Sequence, residues 1–156
     1  MTVSLSWLQN YVSIDRDATE LAKALTMVGL EVESVTNRFA YLQNVVVGRV
    51  VETGRHPKSS ALTLCSVDIG QRQVPIVCGA PNVRNDLLVP VALPGTVLPD
   101  GTVLSAGAIR GVRSEAMICS EHELGIGPEA SVVRELDGGL TVGQQLHEAL
   151  GLDDPV

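Results

Sequence analysis

The spacing of apolar residues changes near Val45, where a helical period gives way to short strand-like runs. Before Val45, apolar residues recur at helical spacing in two stripes, which begin at Leu5 and Leu21. After it, β-branched runs alternate with Gly and Pro, as in strands that tight turns connect. The pattern predicts an α+β chain that is mainly β, with a small helical subdomain at its N-terminus.

Polar residues and one glycine mark the ends of the two N-terminal helices. Ser4 and Asp17 can cap helix N-termini, because their side-chain oxygens accept hydrogen bonds from free backbone N–H groups. Gly29 suits the residue that follows the second helix, where a left-handed conformation is common. We expect a short extended segment at residues 31–35 and a linker at residues 37–44.

Five apolar runs in the next part of the chain predict five β-strands. Turn sequences at residues 70–72 (Gly-Gln-Arg) and 99–101 (Pro-Asp-Gly) separate some of them. Five short strands with irregular loops fit a Greek-key barrel of the OB type, although periodicity alone does not separate it from other small barrels. The predicted strands cover residues 45–53, 62–69, 74–78, 87–93 and 103–110.

Two helices are predicted after the strands. Residues 114–124 have apolar positions at helical spacing. Thr141 and Gln144 form a capping-box sequence before a C-terminal helix that contains Leu146 and Leu150. The predicted organisation is a helical subdomain at residues 1–38, an OB-fold domain at residues 39–150 and a tail at residues 151–156.

The net charge of −7 is unevenly distributed along the chain. Residues 45–127 contain seven Lys or Arg and seven Asp or Glu and are therefore neutral, while the acidity lies in the two flanks. This balance argues against a strong, general nucleic-acid binder but leaves open a local basic face on the central domain. All four aromatic residues precede Val45, so the central domain lacks the stacking platforms of sequence-tolerant single-strand binders.

The cysteine and histidine residues do not suggest a metal site or a catalytic site. Cys65, Cys78 and Cys119 are odd in number and form no CxxC pair, which indicates free thiols in a reducing cytoplasm. Cys119 and His122 have a CxxH spacing without the second pair that a closed zinc site needs. The sequence has no phosphate-binding Gly-rich loop and no apolar run of the ~20 residues that span a bilayer. We therefore expect no cofactor, no metal and no membrane partner for this chain.

Several segments of the chain resemble one known family, in the same order. They are IRGVRSEAMICSE at residues 109–121, IVCGAPNVR at residues 76–84, the opening MTVSLSWLQNYVSIDRDATELAKALTMVG, His56-Pro57, and VALPG at residues 91–95. Together they are similar to the N-terminal part of the bacterial phenylalanyl-tRNA synthetase beta subunit, which contains an EMAP-like OB-fold tRNA-binding domain. The resemblance therefore implies the OB type for the predicted barrel.

The resemblance implies that this chain is a non-catalytic part of a larger enzyme, phenylalanine–tRNA ligase. In that family, the alpha subunit holds the catalytic site, and the α2β2 heterotetramer uses ATP and Mg²⁺ to charge its tRNA with phenylalanine. The editing site and the anticodon-binding domain lie later in the beta chain. This chain contains no catalytic residues, so its own status as an enzyme stays open. It would supply packing and an auxiliary tRNA contact, and its tail would lead into further domains.

The candidate tRNA-binding residues combine cations with hydrogen-bonding side chains. Arg and Lys contact phosphates, while Ser and Asn contact phosphates or base edges. In the family that the chain resembles, a Ser-x-Gly-Met turn is associated with RNA contact. Ser114 and Met117 are the matching positions, and Ala116 stands in place of the Gly. The candidates are Arg49, Arg55, Lys58, Asn82, Arg84, Arg110, Arg113, Ser114 and Met117.

Two other functions fit the sequence. One is a free-standing, homodimeric OB-fold tRNA-binding protein, but the helical opening of this chain argues against it. The other is a structural interaction module whose barrel has no affinity for RNA. The neutral central domain and its lack of aromatic residues favour this second alternative.

Overall fold

The computed structural model describes residues 1–152 and 154–156. Those residues divide into two compact units, Tyr41–Leu150 and Met1–Ala40 with Gly151–Val156. The helices are α1 (Leu5–Gln9), α2 (Ala18–Met27), α3 (Glu121–Leu124), α4 (Leu146–Ala149) and a 3-10 helix at Ala40–Asn44. The strands are β1 (Val45–His56), β2 (Ser59–Asp68), β3 (Gln73–Cys78), β4 (Leu88–Ala92), β5 (Gly107–Ile109), β6 (Val112–Ser114) and β7 (Met117–Ile118).

The unit that begins at Met1 contains α1 and α2, and both helices begin at the predicted caps. The Ser4 hydroxyl accepts from the Trp7 backbone N–H at 3.1 Å, and the Asp17 carboxylate accepts from that of Glu20 at 2.8 Å. Gly29 follows α2 with a φ of 95°, as predicted. Neither helix contains a buried residue, and each cap satisfies a backbone N–H that has no partner within its helix.

The C-terminal residues of the same unit are hydrogen-bonded to its N-terminal residues. The Asp154 carboxylate accepts from the backbone N–H of Ser6 at 2.9 Å and from its hydroxyl at 2.8 Å, and these bonds lower the pKa of Asp154. Thr36 and Val156 exchange two backbone hydrogen bonds of 2.7 and 2.9 Å. The tail predicted at residues 151–156 therefore has partners within this unit, whereas Asp153 lies outside the described residues.

The other unit is built on a five-stranded antiparallel sheet in the order β3-β2-β1-β4-β7. The long central strand β1 pairs with β2 from Arg49 to His56 and with β4 from Val45 to Arg49. The core of this unit is aliphatic, because the strands bury mostly valine. The chain is thus mainly β with a few short helices and an OB-like sheet, which confirms the predicted fold class.

The sheet does not close into the predicted barrel. Within the described part of the chain, no ladder joins the two edge strands, β3 and β7. The segment after β6 bridges the gap by single contacts. The Val77 N–H donates to the Ser114 hydroxyl at 3.1 Å, and the Glu115 N–H donates to the Pro75 carbonyl at 2.8 Å. A continuous ladder is prevented because β7 has only two residues and Pro75 has no N–H group.

The fifth strand of the main sheet is β7, and the strand predicted at residues 103–110 forms only in part, as the short β5 outside this sheet. In the first part of that segment, Leu104 exchanges backbone hydrogen bonds with Gly95 and Thr96 at 2.8 and 2.9 Å. The last part forms β5, which pairs with β6 in a separate two-stranded sheet. All three residues of β5 are exposed, so this strand has no buried face with which to join the main sheet.

The helix predicted over residues 114–124 is wrong in its first half. Met117 is extended and pairs with Ala92 of β4. The helix α3 begins only after Ser120, at a capping box. The Ser120 hydroxyl accepts from the Glu123 N–H at 3.2 Å, and the Glu123 carboxylate accepts from the Ser120 N–H at 2.7 Å. The prediction failed because the adjacent apolar residues Met117 and Ile118 fit a short strand as well as a helix.

Two further local predictions are wrong. Part of the linker predicted at residues 37–44 forms the 3-10 helix, in which Leu42 is fully buried. The Tyr41 hydroxyl beside it donates to the Leu124 carbonyl at 2.7 Å, which fastens this helix to α3. The capping box predicted at Thr141 does not form, because α4 begins after Gln145 without a side-chain cap.

Replacing Gly48 by alanine is expected to destabilise the unit Tyr41–Leu150 by about 1–3 kcal/mol, because it overpacks the core. A Cβ at this position would lie 2.6 Å from Val91 Cγ2 and 2.8 Å from Val67 Cγ1, and both valines are fully buried. Urea denaturation checks this loss. Gly54→Ala is the matched control in the same strand, since its Cβ would meet nothing within 4 Å. Equal stabilities for the two variants would contradict the packing argument.

Candidate functional site

The end of β1 meets the tip of the β5–β6 hairpin through His56, the last residue of β1, which is only 5% exposed. The imidazole Nδ1 accepts from the Lys58 backbone N–H at 3.0 Å, and Nε2 lies 3.1 Å from the Ile109 carbonyl oxygen. Because a backbone N–H only donates, Nδ1 is unprotonated and Nε2 carries the proton that it donates to Ile109. His56 therefore fastens two segments that are remote in the sequence.

The hairpin turns at Arg110 and Gly111, and both residues have a positive φ. The φ angles are 49° and 85°, and Ile109 pairs with Val112 across the turn. Two positive φ angles in a two-residue loop define a type I′ turn, whose first position usually holds Asn, Asp or Gly. A side chain in this region costs roughly 1–2 kcal/mol. Arg110 thus occupies a strained position at an exposed tip, and such strain clusters at functional sites.

Lys58 lies against the same turn. A Cβ built on Gly111 would lie 3.4 Å from Lys58 Nζ, so the ammonium group is next to the backbone of the turn. Among the described residues, no carboxylate forms an ion pair with Arg55, Lys58 or Arg110. We use the name tip surface for the exposed cations at this end of β1 and on the hairpin, which are Arg55, Lys58, Arg110 and Arg113.

Arg113 shares the carboxylate of Glu115 with Arg72. Its Nε lies 2.8 Å from Glu115 Oε1, and Arg72 Nη1 lies 2.9 Å from Oε2. Hydrogen bonds from the two guanidinium groups hold the pKa of the Glu115 carboxyl below its usual range, and the bond from Arg113 has the larger effect. Because one carboxylate offsets part of two positive charges, Arg113 adds less to the potential of the tip surface than Lys58 or Arg110 does.

Asn82 and Arg84, both predicted to contact RNA, have internal partners. The Asn82 side chain accepts from the Val133 N–H at 3.0 Å and donates to the Val133 carbonyl, also at 3.0 Å. Arg84 forms a two-point ion pair with Glu135 at 2.8 and 3.2 Å, which lowers the pKa of the Glu135 carboxyl. These contacts join the loop after β3 to residues 133–135, so both side chains have a structural role here.

Ser114 is buried, and its hydroxyl is already hydrogen-bonded. It accepts from the Val77 N–H and donates to the Ala116 carbonyl, each at 3.1 Å. Met117 is half-buried in β7, and Ala116 before it does not have a positive φ. Alanine in place of the glycine of the Ser-x-Gly-Met turn therefore causes no backbone strain. Of the two matching positions, Ser114 holds β6 against β3.

Ser114→Ala is expected to destabilise the unit Tyr41–Leu150 by about 1–3 kcal/mol, because it leaves the Val77 N–H without its acceptor. Urea denaturation measures the loss, and Ser105→Ala at an exposed position is the control. The variant should retain any salt dependence of tRNA binding. A changed salt dependence at unchanged stability would show that the Ser114 hydroxyl contacts RNA directly, contrary to this account.

Arg49 lies away from the tip surface. It is six residues before Arg55 in β1, which corresponds to about 20 Å along a strand. It pairs through its backbone with Asp68 on one side and with Leu88 on the other, near the opposite end of β2. The structure therefore places Lys58 beside the hairpin turn that contains Arg110, while Arg55 precedes His56 in β1. Arg113 is bound by Glu115, and Arg49 lies outside this group.

The cysteines have the properties of buried, protonated thiols. Burial raises the pKa of Cys65 and of Cys119 to about 12, and it also raises that of Cys78. In the part of the chain that the structure describes, no group of three or more His, Cys, Asp or Glu could hold a metal ion. No helix of residues 1–152 or 154–156 is long and apolar enough to cross a membrane.

Three residues that shape the site were absent from the sequence-based candidates. His56 fastens the hairpin, Gly111 makes its turn possible, and Glu115 pairs with two arginines. The Arg-Gly dipeptide in a β-rich segment is the local signal that could have indicated a two-residue turn. The other two residues act across the fold, and no local pattern reveals their partners.

The chain is similar to known tRNA-binding and tRNA ligase sequences. Residues 45–145 match the family model described as a putative tRNA binding domain. The whole chain is 44% identical to the phenylalanine–tRNA ligase beta subunit of Syntrophus aciditrophicus, of which it covers 19%. Identity is 46% to the subunit of Synechococcus elongatus, with 100% of this chain and 20% of that subunit covered. Identity is 47% to the subunit of Xanthomonas euvesicatoria, with 99% of this chain and 19% of that subunit covered.

Two solved structures align with the chain at low similarity. The C-terminal domain of Plasmodium vivax p43 gives a TM-score of 0.46 at 22% identity, with 64% of this chain and 56% of that chain covered. The MetRS related protein from Pyrococcus horikoshii gives a TM-score of 0.49 at 16% identity, with 65% of this chain and 87% of that chain covered.

The extent of these matches identifies the family. The chain spans about a fifth of the length of the beta subunits that it matches. Their similarity extends through residues 1–44, which lie outside the tRNA-binding family model, so a free-standing tRNA-binding protein is not favoured. The resemblance seen in the sequence is therefore confirmed, and the chain belongs to the putative tRNA binding domain family and is similar over its whole length to the N-terminal part of phenylalanine–tRNA ligase beta subunits.

Proposed function

We propose that this chain supplies an auxiliary tRNA contact, through the tip surface, within the beta subunit of a cytoplasmic phenylalanine–tRNA ligase. The whole enzyme would charge phenylalanine-specific tRNA, with the alpha subunit as partner in an α2β2 assembly. ATP and Mg²⁺ would be cofactors of the whole enzyme. The proposal for this chain therefore concerns RNA binding and packing, without a chemical step.

The observation that supports this proposal is the position of the Lys58 ammonium group beside the hairpin turn that contains the strained Arg110. Both cations are exposed and lack a carboxylate partner among the described residues. Arg110 has an unfavourable backbone conformation at a turn position where Asn, Asp or Gly is more usual. An RNA phosphate would supply the anion that the protein itself does not offer these groups.

The composition of the tip surface favours contact with the RNA backbone over reading of bases. Its side chains are Lys and Arg, with the exposed Ile109 as the apolar neighbour and no aromatic ring after Tyr41 to stack on a base. Lys and Arg contact phosphates without regard to sequence. We therefore place the specificity for phenylalanine tRNA in other parts of the enzyme and assign a sequence-independent contribution to this chain.

A salt titration of tRNA binding to the wild-type chain tests the proposal. Phosphate contacts release counterions, so the logarithm of the binding constant should fall linearly with the logarithm of the salt concentration. The slope should be roughly −0.7 to −0.9 for each phosphate contacted, and two to four contacts are expected from the tip surface. Binding that is undetectable at low salt, or independent of salt, would reject an RNA contact for this chain.

A structural module without RNA affinity is the second candidate function. It is favoured by the internal partners of Asn82, Arg84 and Ser114, which leave fewer free groups than the sequence suggested. The neutral composition of residues 45–127 points the same way. A flat salt titration would make this the leading account, and the family match would then reflect a shared fold alone.

A further inference from the structure

We infer that His56 is the positioning residue of the RNA contact, because it holds the β5–β6 hairpin so that Arg110 and Lys58 face the same phosphates. This inference rests on the proposed function and names the residue that makes the tip surface one site. The side chain is buried, so it acts through the backbone groups that it binds and does not itself touch RNA.

The two ring nitrogens of His56 have different tasks. Nδ1 accepts from the Lys58 N–H and fixes the turn that carries the ammonium group. Nε2 donates to the carbonyl of Ile109, the residue before Arg110. Because the imidazole is planar and rigid, these two bonds set the separation of Lys58 from the hairpin turn.

The hairpin has few other attachments that could replace this bond. β5 pairs only with β6 among the described strands, and its three residues are exposed. On the β6 side, the contacts of Ser114 and Glu115 with β3 hold the base of the hairpin, not its tip. Loss of the Nε2 bond should therefore free the turn at Arg110 while the sheet stays intact.

A pair of variants separates the two tasks. In His56→Asn, the amide oxygen can occupy the place of Nδ1 and accept from Lys58, but the side chain is too short to reach Ile109. In His56→Gln, the longer side chain brings its NH₂ group to the place of Nε2, so the bond to Ile109 can form. The asparagine variant should therefore release the hairpin, and the glutamine variant should retain it.

The variants are compared with wild type by amide hydrogen exchange of the RNA-free chain and by salt titration with a tRNA transcript. For His56→Asn we expect at least about tenfold faster exchange at residues 109–112 and a salt slope smaller by about one phosphate contact. His56→Gln should keep the wild-type exchange rate at residues 109–112, because its bond to Ile109 can still form. A purely structural role for His56 would lower the melting temperature of both variants and leave both slopes unchanged.

The outcomes distinguish this inference from the proposed function. Unchanged exchange and slope in His56→Asn, with a reduced slope in Lys58→Ala, would overturn the role of His56 and leave the RNA contact standing. A flat titration of the wild-type chain would overturn both. If neither variant folds, ¹⁵N NMR of wild-type imidazole decides the geometry. A proton on Nε2 with a bare Nδ1 is expected, and the reverse tautomer would overturn the inference.

Discussion

The double variant Lys58→Ala/Arg110→Ala is expected to bind tRNA about 10- to 100-fold more weakly than wild type at low salt, with a salt slope smaller by roughly 1.4 to 1.8. The physical reason is the loss of two cations that no carboxylate neutralises among the described residues. The free energy of unfolding should change little, because both side chains are exposed. An alanine at position 110 must adopt the same positive φ as the arginine, at a similar cost. Filter binding or fluorescence anisotropy at several salt concentrations measures both quantities.

The matched control is Arg16→Ala/Lys23→Ala. It makes the same change in net charge at two exposed positions of the unit that contains α1 and α2. If the tip surface is the contact, this control should retain nearly all of the wild-type slope. Equal losses in the two double variants would mean that net charge alone drives binding, and the tip surface would lose its special role.

Leu42→Ala is expected to destabilise the unit Tyr41–Leu150 by about 2–5 kcal/mol, the largest stability effect among these variants. Leu42 has 0% exposure in the 3-10 helix before β1. This helix is anchored on both sides of Leu42, because Tyr41 donates to the Leu124 carbonyl and the Asn44 carbonyl accepts from the Leu93 N–H at 3.0 Å. The surrounding backbone therefore has little freedom to collapse into the cavity.

Urea denaturation, followed by a probe in the Tyr41–Leu150 unit, measures this loss. Gln43→Ala changes the exposed neighbour in the same helix and should cost less than about 0.5 kcal/mol. A loss below about 1 kcal/mol for Leu42→Ala would mean that the segment is the linker that the sequence suggested. Such a result would place the start of the folded domain at β1.

Local chemistry made the helix ends and the central strands predictable. Ser4 and Asp17 cap their helices because the capping oxygen and the N–H that it binds lie within three residues of each other. The first four strands were found because each lies in an apolar run and buries at least one valine. The segment of residues 103–118 was assigned wrongly, because its pairing partners are Thr96 and Ala92, and periodicity contains no information on such distant partners.

The same limit explains which site residues could be predicted. The sequence identifies Arg84 as a cation, but its partner Glu135 is 51 residues away and becomes visible only in the fold. Ser114 likewise satisfies a backbone N–H that is 37 residues distant. Lys58 and Arg110 stay predictions as contacts with RNA, and the sequence suggests them by their charge alone. Their proximity in the fold follows from the bonds of His56 to Lys58 and to Ile109, which is 53 residues away from His56.

The tRNA contact at the tip surface is best tested by chemical-shift mapping with ¹⁵N NMR, in which the wild-type chain is titrated with tRNA. We expect shifts or line broadening at residues 55–58 and 107–113, which vanish as salt is raised. Residues 82–84 and 133–135 should stay unchanged, because their side chains bind each other. Shifts centred on that second region, or no shifts at all, would contradict a tRNA contact at the tip surface.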